Sequence, residues 1–178
     1  GFDVTNQQNV KFEELTIMNS RGNGLCLSGS ETTVDVLKCI AKECTSTGMW
    51  VHDGTTVTAT QCEFMENEGD GVFCYDANTT VRFDDCTMHH NGQHGLNAYS
   101  DAVVDLHGTN TKIHSNKQHG IYACDRGKVN IHLPFQHNTS HDNGDEDRLQ
   151  ESGGSIANIN ANGTFTHVVV DEDDDDFK

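Results

Sequence analysis

The chain is short of proline, of basic residues and of long apolar runs. One Pro in 178 residues leaves almost no position with a preset φ, so Gly and Asn are expected to make the turns. Lys and Arg number 11 against 28 Asp and Glu, a formal net charge of −17. Such a chain has no basic face to neutralise a run of phosphates, which argues against nucleic acid and anionic lipid surfaces as partners. No stretch approaches the roughly 18 apolar residues that a spanning helix needs, so no membrane span is expected. Apolar residues make up 34% of the chain, below the usual share of about 45–50%, which argues against a wide core layered with helices. The seven cysteines cannot all pair within the chain. Spacings such as Cys39 to Cys44 and Cys39 to Cys62 match no zinc pattern of the Cys-x-x-Cys kind. No cofactor is implied.

What the chain does have is a repeat. Gly24, Gly48, Gly71, Gly95 and Gly120 recur at steps of 24, 23, 24 and 25 residues. After each comes a short alternating segment: Leu25-Cys26-Leu27, Met49-Trp50-Val51, Val72-Phe73-Cys74, Leu96-Asn97-Ala98 and Ile121-Tyr122-Ala123. The first and third residues are apolar each time, the period-2 signature of a strand with one buried face. A second alternating segment lies in each unit, from Val10-Lys11-Phe12 through Val34-Asp35-Val36, Val57-Thr58-Ala59, Val81-Arg82-Phe83 and Val104-Asp105-Leu106 to Val129-Asn130-Ile131. A third column holds Leu15, Cys39, Cys62, Cys86 and Thr111, and a polar turn follows with Ser20, Cys44, Asn67, Asn91 and Asn116.

A unit of about 24 residues cannot bury its own apolar side, whereas stacked units bury one narrow continuous core. Coils rising about 4.8 Å each would make six to seven of them a rod roughly 30 Å long. Helical solenoids need apolar spacings of three and four, and a propeller blade needs about 40 residues. A parallel β-helix remains, and the small inward residues Ala59, Ala98, Ala123, Cys39, Cys62 and Cys86 suit its thin interior.

Units that read Val-x-(Phe/Val/Ala), then Cys-x-(Phe/Met)-x-x-Asn-x-x-x-Gly-(Leu/Val/Ile)-x-(Ala/Cys/Val), resemble the right-handed parallel β-helix repeat family of the pectin-lyase-like superfamily. The resemblance implies an all-β, single-stranded, right-handed solenoid. It also implies two kinds of activity, polysaccharide lyase, hydrolase or epimerase chemistry on one hand and non-catalytic recognition on the other. The expected organisation is a β-helix over residues 1–170, with clear coils over 8–145 and an atypical capping segment over 146–170, followed by an acidic tail over 171–178. Residues 145–151 read as an inserted loop or short helix. The segment from Ile156 to Val170 reads as a seventh coil or a cap.

Equivalent positions in such a stack form ladders. The Cys39, Cys62 and Cys86 ladder reads as core packing, with Cys74 inward and Cys26 and Cys124 outward and exposed. Unpaired thiols fit a reducing compartment, whereas the sequons at Asn78, Asn138 and Asn162 allow secretion, so localisation stays open. Two residues past the repeat glycine the outer column runs Cys26, Trp50, Phe73, Asn97, Tyr122. Four past it runs Ser28, His52, Tyr75, Tyr99, Cys124. This aromatic face is a candidate platform for an extended glycan or peptide, with Trp50, His52, Phe73, Tyr75, Tyr99, Tyr122 and Arg126 as the binding set. Cover by a terminal segment or by a partner in an oligomer competes with that reading. Just before the glycine, Asp70, His94 and His119 share a column. With Tyr99 they are the candidates for general acid–base chemistry, and alone for a metal, although no tight ligand motif supports one. His89 and His114 share a turn column, with His90 beside it. Asp84-Asp85, an adjacent carboxylate pair within the clear coils, completes no catalytic set that the resemblance implies.

The reading favours a non-catalytic recognition or scaffold module, as a homo-oligomer or part of a larger parent chain. The alternative is a carbohydrate-active enzyme of polysaccharide lyase or uronate epimerase type.

Overall fold

The computed structural model describes residues 1–133, 137, 139–160 and 162–168. The acidic run Asp171–Asp176 and the Asn138 sequon lie outside the described residues. Three sheets wind around one core, and within each the strands follow chain order. The first sheet stacks Phe2–Thr5, Leu25–Ser28, Met49–His52, Val72–Tyr75, Leu96–Tyr99, Ile121–Cys124 and Arg148–Glu151. The second stacks Val10–Glu13, Thr33–Leu37, Thr56–Thr60, Thr80–Asp84, Val103–His107, Lys128–Ile131 and Ser155–Ile159 in parallel. The third has six strands, from Thr16–Met18 to Ser140–His141. This is the expected all-β parallel solenoid, and no helix occurs among the described residues.

The register is the one the repeat demands. Val72 pairs with Met49 and Leu96, and Leu96 with Ile121. Leu25, Met49, Val72, Leu96 and Ile121 are fully buried, as are Leu27, Val51, Cys74, Ala98 and Ala123 two residues on. The repeat glycine marks a close approach rather than an unusual dihedral. A Cβ on Gly24 would meet the Gly48 carbonyl oxygen at 2.5 Å, and one on Gly48 or Gly71 the next repeat glycine's oxygen at 2.6 Å. Real Cβ atoms do not approach so closely, so a side chain there would force the coils apart.

The bends depart from expectation. Among the described residues twenty non-glycine residues have positive φ, and only Asn6, Asn9, Asn19 and Asn78 of these are Asn. Glu14, Lys38, Gln61 and Asp85 each follow a second-sheet strand, and Glu43, Glu66, His90 and Ser115 a third-sheet strand. A left-handed residue costs roughly 1–2 kcal/mol. Here it turns the chain while its amide still bonds the neighbouring coil: Glu14 N donates to Leu37 O at 2.9 Å, and Gln61 N to Asp84 O at 2.9 Å. The stack offsets the local cost at each bend, so Gly and Asn are not required there.

The column read as a polar turn is internal. Asn67, Asn91 and Asn116 are buried and form a hydrogen-bonded ladder. The amide of Asn67 donates to Asn91 Oδ1 at 3.0 Å, that of Asn91 to Asn116 Oδ1 at 2.9 Å, and that of Asn116 to Asn143 Oδ1 at 2.9 Å. Each Oδ1 also accepts the backbone N–H of its counterpart one coil earlier. The cysteine column works similarly. Cys39 N donates to Cys62 Sγ at 3.5 Å, Cys62 N to Cys86 Sγ at 3.4 Å, and Cys86 N to Thr111 Oγ1 at 3.3 Å. These thiols fill the core and also accept bonds at the bend. Leu15, in the same column, is instead 40% exposed, because its coil ends the stack.

The C-terminal segment corrects the loop-or-helix expectation for 145–151. Arg148–Glu151 is a strand paired with Ile121–Cys124, placing Arg148 over Ile121 and Gln150 over Ala123. Polar residues at these inward positions erase the alternating apolar signal. Gln150 Oε1 accepts Ile156 N at 3.0 Å, and Arg148 donates to Asn158 at 3.0 Å, forming a polar lid on the core. Ser155–Ile159 adds the seventh second-sheet strand, and Phe165–Val168 pairs with it antiparallel as a cap.

Candidate ligand-binding face

The outward columns of the first sheet hold the predicted binding residues. Parallel register sets Trp50 beside Phe73, Phe73 beside Asn97, Asn97 beside Tyr122, and Tyr75 beside Tyr99. The rings form one band. Trp50 stacks on His52 at 4.2 Å between centroids and on Phe73 at 6.4 Å, Phe73 touches Tyr75 at 5.9 Å, and Tyr75 stacks on Tyr99 at 5.8 Å. All five side chains are half-buried. Trp50–Phe73 and Tyr75–Tyr99 meet between coils, whereas Trp50–His52 and Phe73–Tyr75 meet within one strand, so the rings use part of their faces on one another.

A second cluster lies at the leading edge of the same sheet. His94 stacks on His119 at 5.1 Å and on Tyr122 at 4.7 Å. Asp70 is buried one coil earlier, where its Oδ1 accepts the His94 backbone N–H at 2.9 Å and its Oδ2 accepts the Asn97 amide at 3.2 Å. Burial raises the Asp70 carboxyl to about 6 and lowers the His94 imidazole to about 4. His119 Nδ1 sits 2.9 Å from a Glu146 oxygen, and the Tyr122 hydroxyl donates to Glu151 at 2.6 Å. The structure thus brings Asp70, His94 and His119 together with Tyr122. Tyr99 belongs to the ring band and makes no ring contact with either histidine among the described residues. Nor do Asp70, His94 and His119 form one of the groups whose ligand atoms all lie within 4.8 Å of one another. Among the described residues those groups are His52, Asp53 and Asp76 at the edge of the ring band, and Asp105, His107 and His132 on the second sheet.

Arg126 is 60% exposed but bound on both sides: its guanidinium bonds Asp101 at 2.9–3.2 Å and Asp125 at 2.9 Å. Its charge is therefore already matched. Cys26 faces outward beside His52, with Sγ 3.8 Å from Nε2. Cys124 departs from the expected exposure, being buried beside Tyr122, and all seven thiols are free. His89 and His114 lie at the ends of third-sheet strands rather than in turns, stacked at 5.1 Å, and His141 extends the stack at 5.2 Å.

Asn97 went unrecognised from sequence. Its one signal is that a polar residue interrupts an otherwise aromatic column. Its Oδ1, together with Trp50 Nε1 and His94 Nδ1, is a buried side-chain atom without a hydrogen-bond partner. These three are the only such atoms among the described residues, and all belong to this one face. An unmet buried polar group costs about 1–3 kcal/mol, so their concentration on one sheet singles it out.

A family model described as a right handed beta helix region matches residues 1–173. No curated protein and no solved structure matches the chain significantly.

Proposed function

The chain belongs to the right-handed β-helix family, and on that premise we propose that it is a non-catalytic recognition module binding an extended glycan or peptide along the first sheet. The observation that carries this reading is the continuous ring band from His52 and Trp50 through Phe73 to Tyr75 and Tyr99. It is partly exposed and spans three successive coils, and neighbouring coils repeat its spacing. An extended polymer with apolar patches and hydroxyl or amide groups matches that repetition. The unmet groups of Trp50, His94 and Asn97 lie on the same sheet and support the choice of this face. The charge of −17 disfavours anionic ligands.

The raised Asp70 carboxyl beside a neutral His94 gives the carbohydrate-active alternative its strongest support. Against it, both Asp70 oxygens are occupied, by a backbone N–H and by Asn97. The carboxylate acts there as a cap for the turn, with no free oxygen directed at a substrate.

A glycan and peptide array, run beside an absorbance assay for lyase products, separates the two readings. Trp50 is the sole tryptophan, so its fluorescence reports binding directly. Trp50→Ala and Tyr75→Ala are each expected to weaken binding by about 1–3 kcal/mol, the range for stacking on an aromatic side chain, with little loss of fold stability. Equal losses of stability and affinity would mean that the rings serve the fold. Unsaturated product from the wild type, abolished by Asp70→Asn, would establish the enzyme.

A further inference from the structure

We propose that Asp105, His107 and His132, on the outer face of the second sheet, form a binding site for a divalent transition-metal ion. Asp105 and His107 are two residues apart on Val103–His107, so both side chains leave the same face of the strand. His132 follows Lys128–Ile131 one coil later, and its ring stacks on His107 with centroids 4.1 Å apart and planes within 7°. One ligand atom from each of the three lies within 4.8 Å of the others. Asp105 Oδ1 is 2.8 Å from His132 Nε2 and also accepts the Asn130 amide at 3.1 Å, which fixes the carboxylate toward the histidines.

Arg82 supplies an independent indication. Its Nη1 stands 2.7 Å from His107 Nε2. A guanidinium only donates, so Nε2 must carry its lone pair there and Nδ1 the proton. A metal would take the place of the Arg82 cation at His107 Nε2, and at His132 it would displace the proton that Nε2 donates to Asp105. The Arg82 side chain is 46% exposed and anchored otherwise by Asp84 at 3.1 Å, so it can swing aside.

Two imidazoles and one carboxylate make a borderline donor set that suits zinc, nickel or cobalt rather than calcium or magnesium, which prefer oxygen. Bond lengths of about 2.0–2.2 Å set ligand atoms roughly 3–3.5 Å apart, so the Asp105–His132 pair must open from its 2.8 Å contact to admit the ion. Three protein ligands leave open positions for water. The ion would tie the Gly95 coil to the Gly120 coil from outside, a face separate from the ring band.

The test is calorimetric titration of the full chain with zinc alone, with the melting temperature measured with and without zinc. One equivalent should bind and raise the melting temperature. His107→Ala and His132→Ala should each weaken binding at least about tenfold. Arg82→Ala should tighten it several-fold, because it removes a competing cation, and this arm needs no ligand to be lost. His114→Ala, in the histidine stack of the third sheet, should leave the titration unchanged. No binding, an unchanged affinity in both His107→Ala and His132→Ala, a weaker site in Arg82→Ala, or a loss confined to His114→Ala would overturn the assignment.

Discussion

Two kinds of internal column hold the coils in register, and they do so by different physics. On the first sheet, Val72, Leu96 and Ile121 stack apolar side chains, an interaction that tolerates any residue of similar volume. At the bend before that sheet, Asn67, Asn91 and Asn116 stack amides, each tied to the next coil and to backbone. Volume alone cannot satisfy that second column, because the backbone groups that bond to it are buried with it. The contrast explains why Leu, Met, Val and Ile interchange in one column while Asn recurs from Asn67 to Asn143 in the other.

The sharpest way to break the contrast is a substitution that conserves shape. Asn91→Leu keeps the approximate volume but leaves Asn67 N–H and Phe64 C=O without their partner. It is expected to cost about 3–5 kcal/mol, because two buried backbone groups lose their partner. Leu96→Ala should follow with about 2–4 kcal/mol, the transfer and cavity cost of a buried leucine. Chemical denaturation of both variants ranks them. If Asn91→Leu proves the milder, the ladder is incidental to stability and the columns are equivalent.

Titration gives a smaller and more selective probe. The folded His94 lies below its ordinary 6.5, at about 4, so its contribution to stability is present above pH 6.5 and is lost as pH falls through 4. Burial lowers His107 and His114 in the same direction. Asp70 is raised from 3.8 to about 6, so its contribution is fully present below 3.8 and is lost as pH rises through 6. Between pH 4 and 6 the two slopes oppose. Asp70→Asn should therefore steepen the fall in melting temperature on acidification, measured by circular dichroism from pH 7 to 4. A shallower slope would show that the Asp70 carboxyl is not held protonated by its surroundings.

Much of this was legible from the residues. The glycine spacing placed every first-sheet strand from Leu25 to Cys124, and the alternation named their inward residues. It failed at Arg148–Glu151, where polar inward residues end the core and break the pattern on which the reading relied. The alternation also marks the asparagine column only as a polar turn, because a buried amide and a solvated one look alike until their partners are known. Within the candidate site, the register of Trp50, Phe73, Tyr75 and Tyr99 followed from spacing. The separation of Tyr99 from His94, the pairing of Arg126 with Asp101 and the place of Asn97 beside Asp70 did not, since they depend on side-chain directions.

The sequence by itself determined the solenoid, its coil length and the two outer columns, since periodicity states which residues must lie above one another. Only the tertiary structure decided which of those neighbours touch, which amides and thiols turn inward, and which histidines and carboxylates converge. Those outcomes depend on rotamers and on bends at residues such as Glu14 and Gln61, whose positive φ the stacked coils sustain and whose residue types do not announce it.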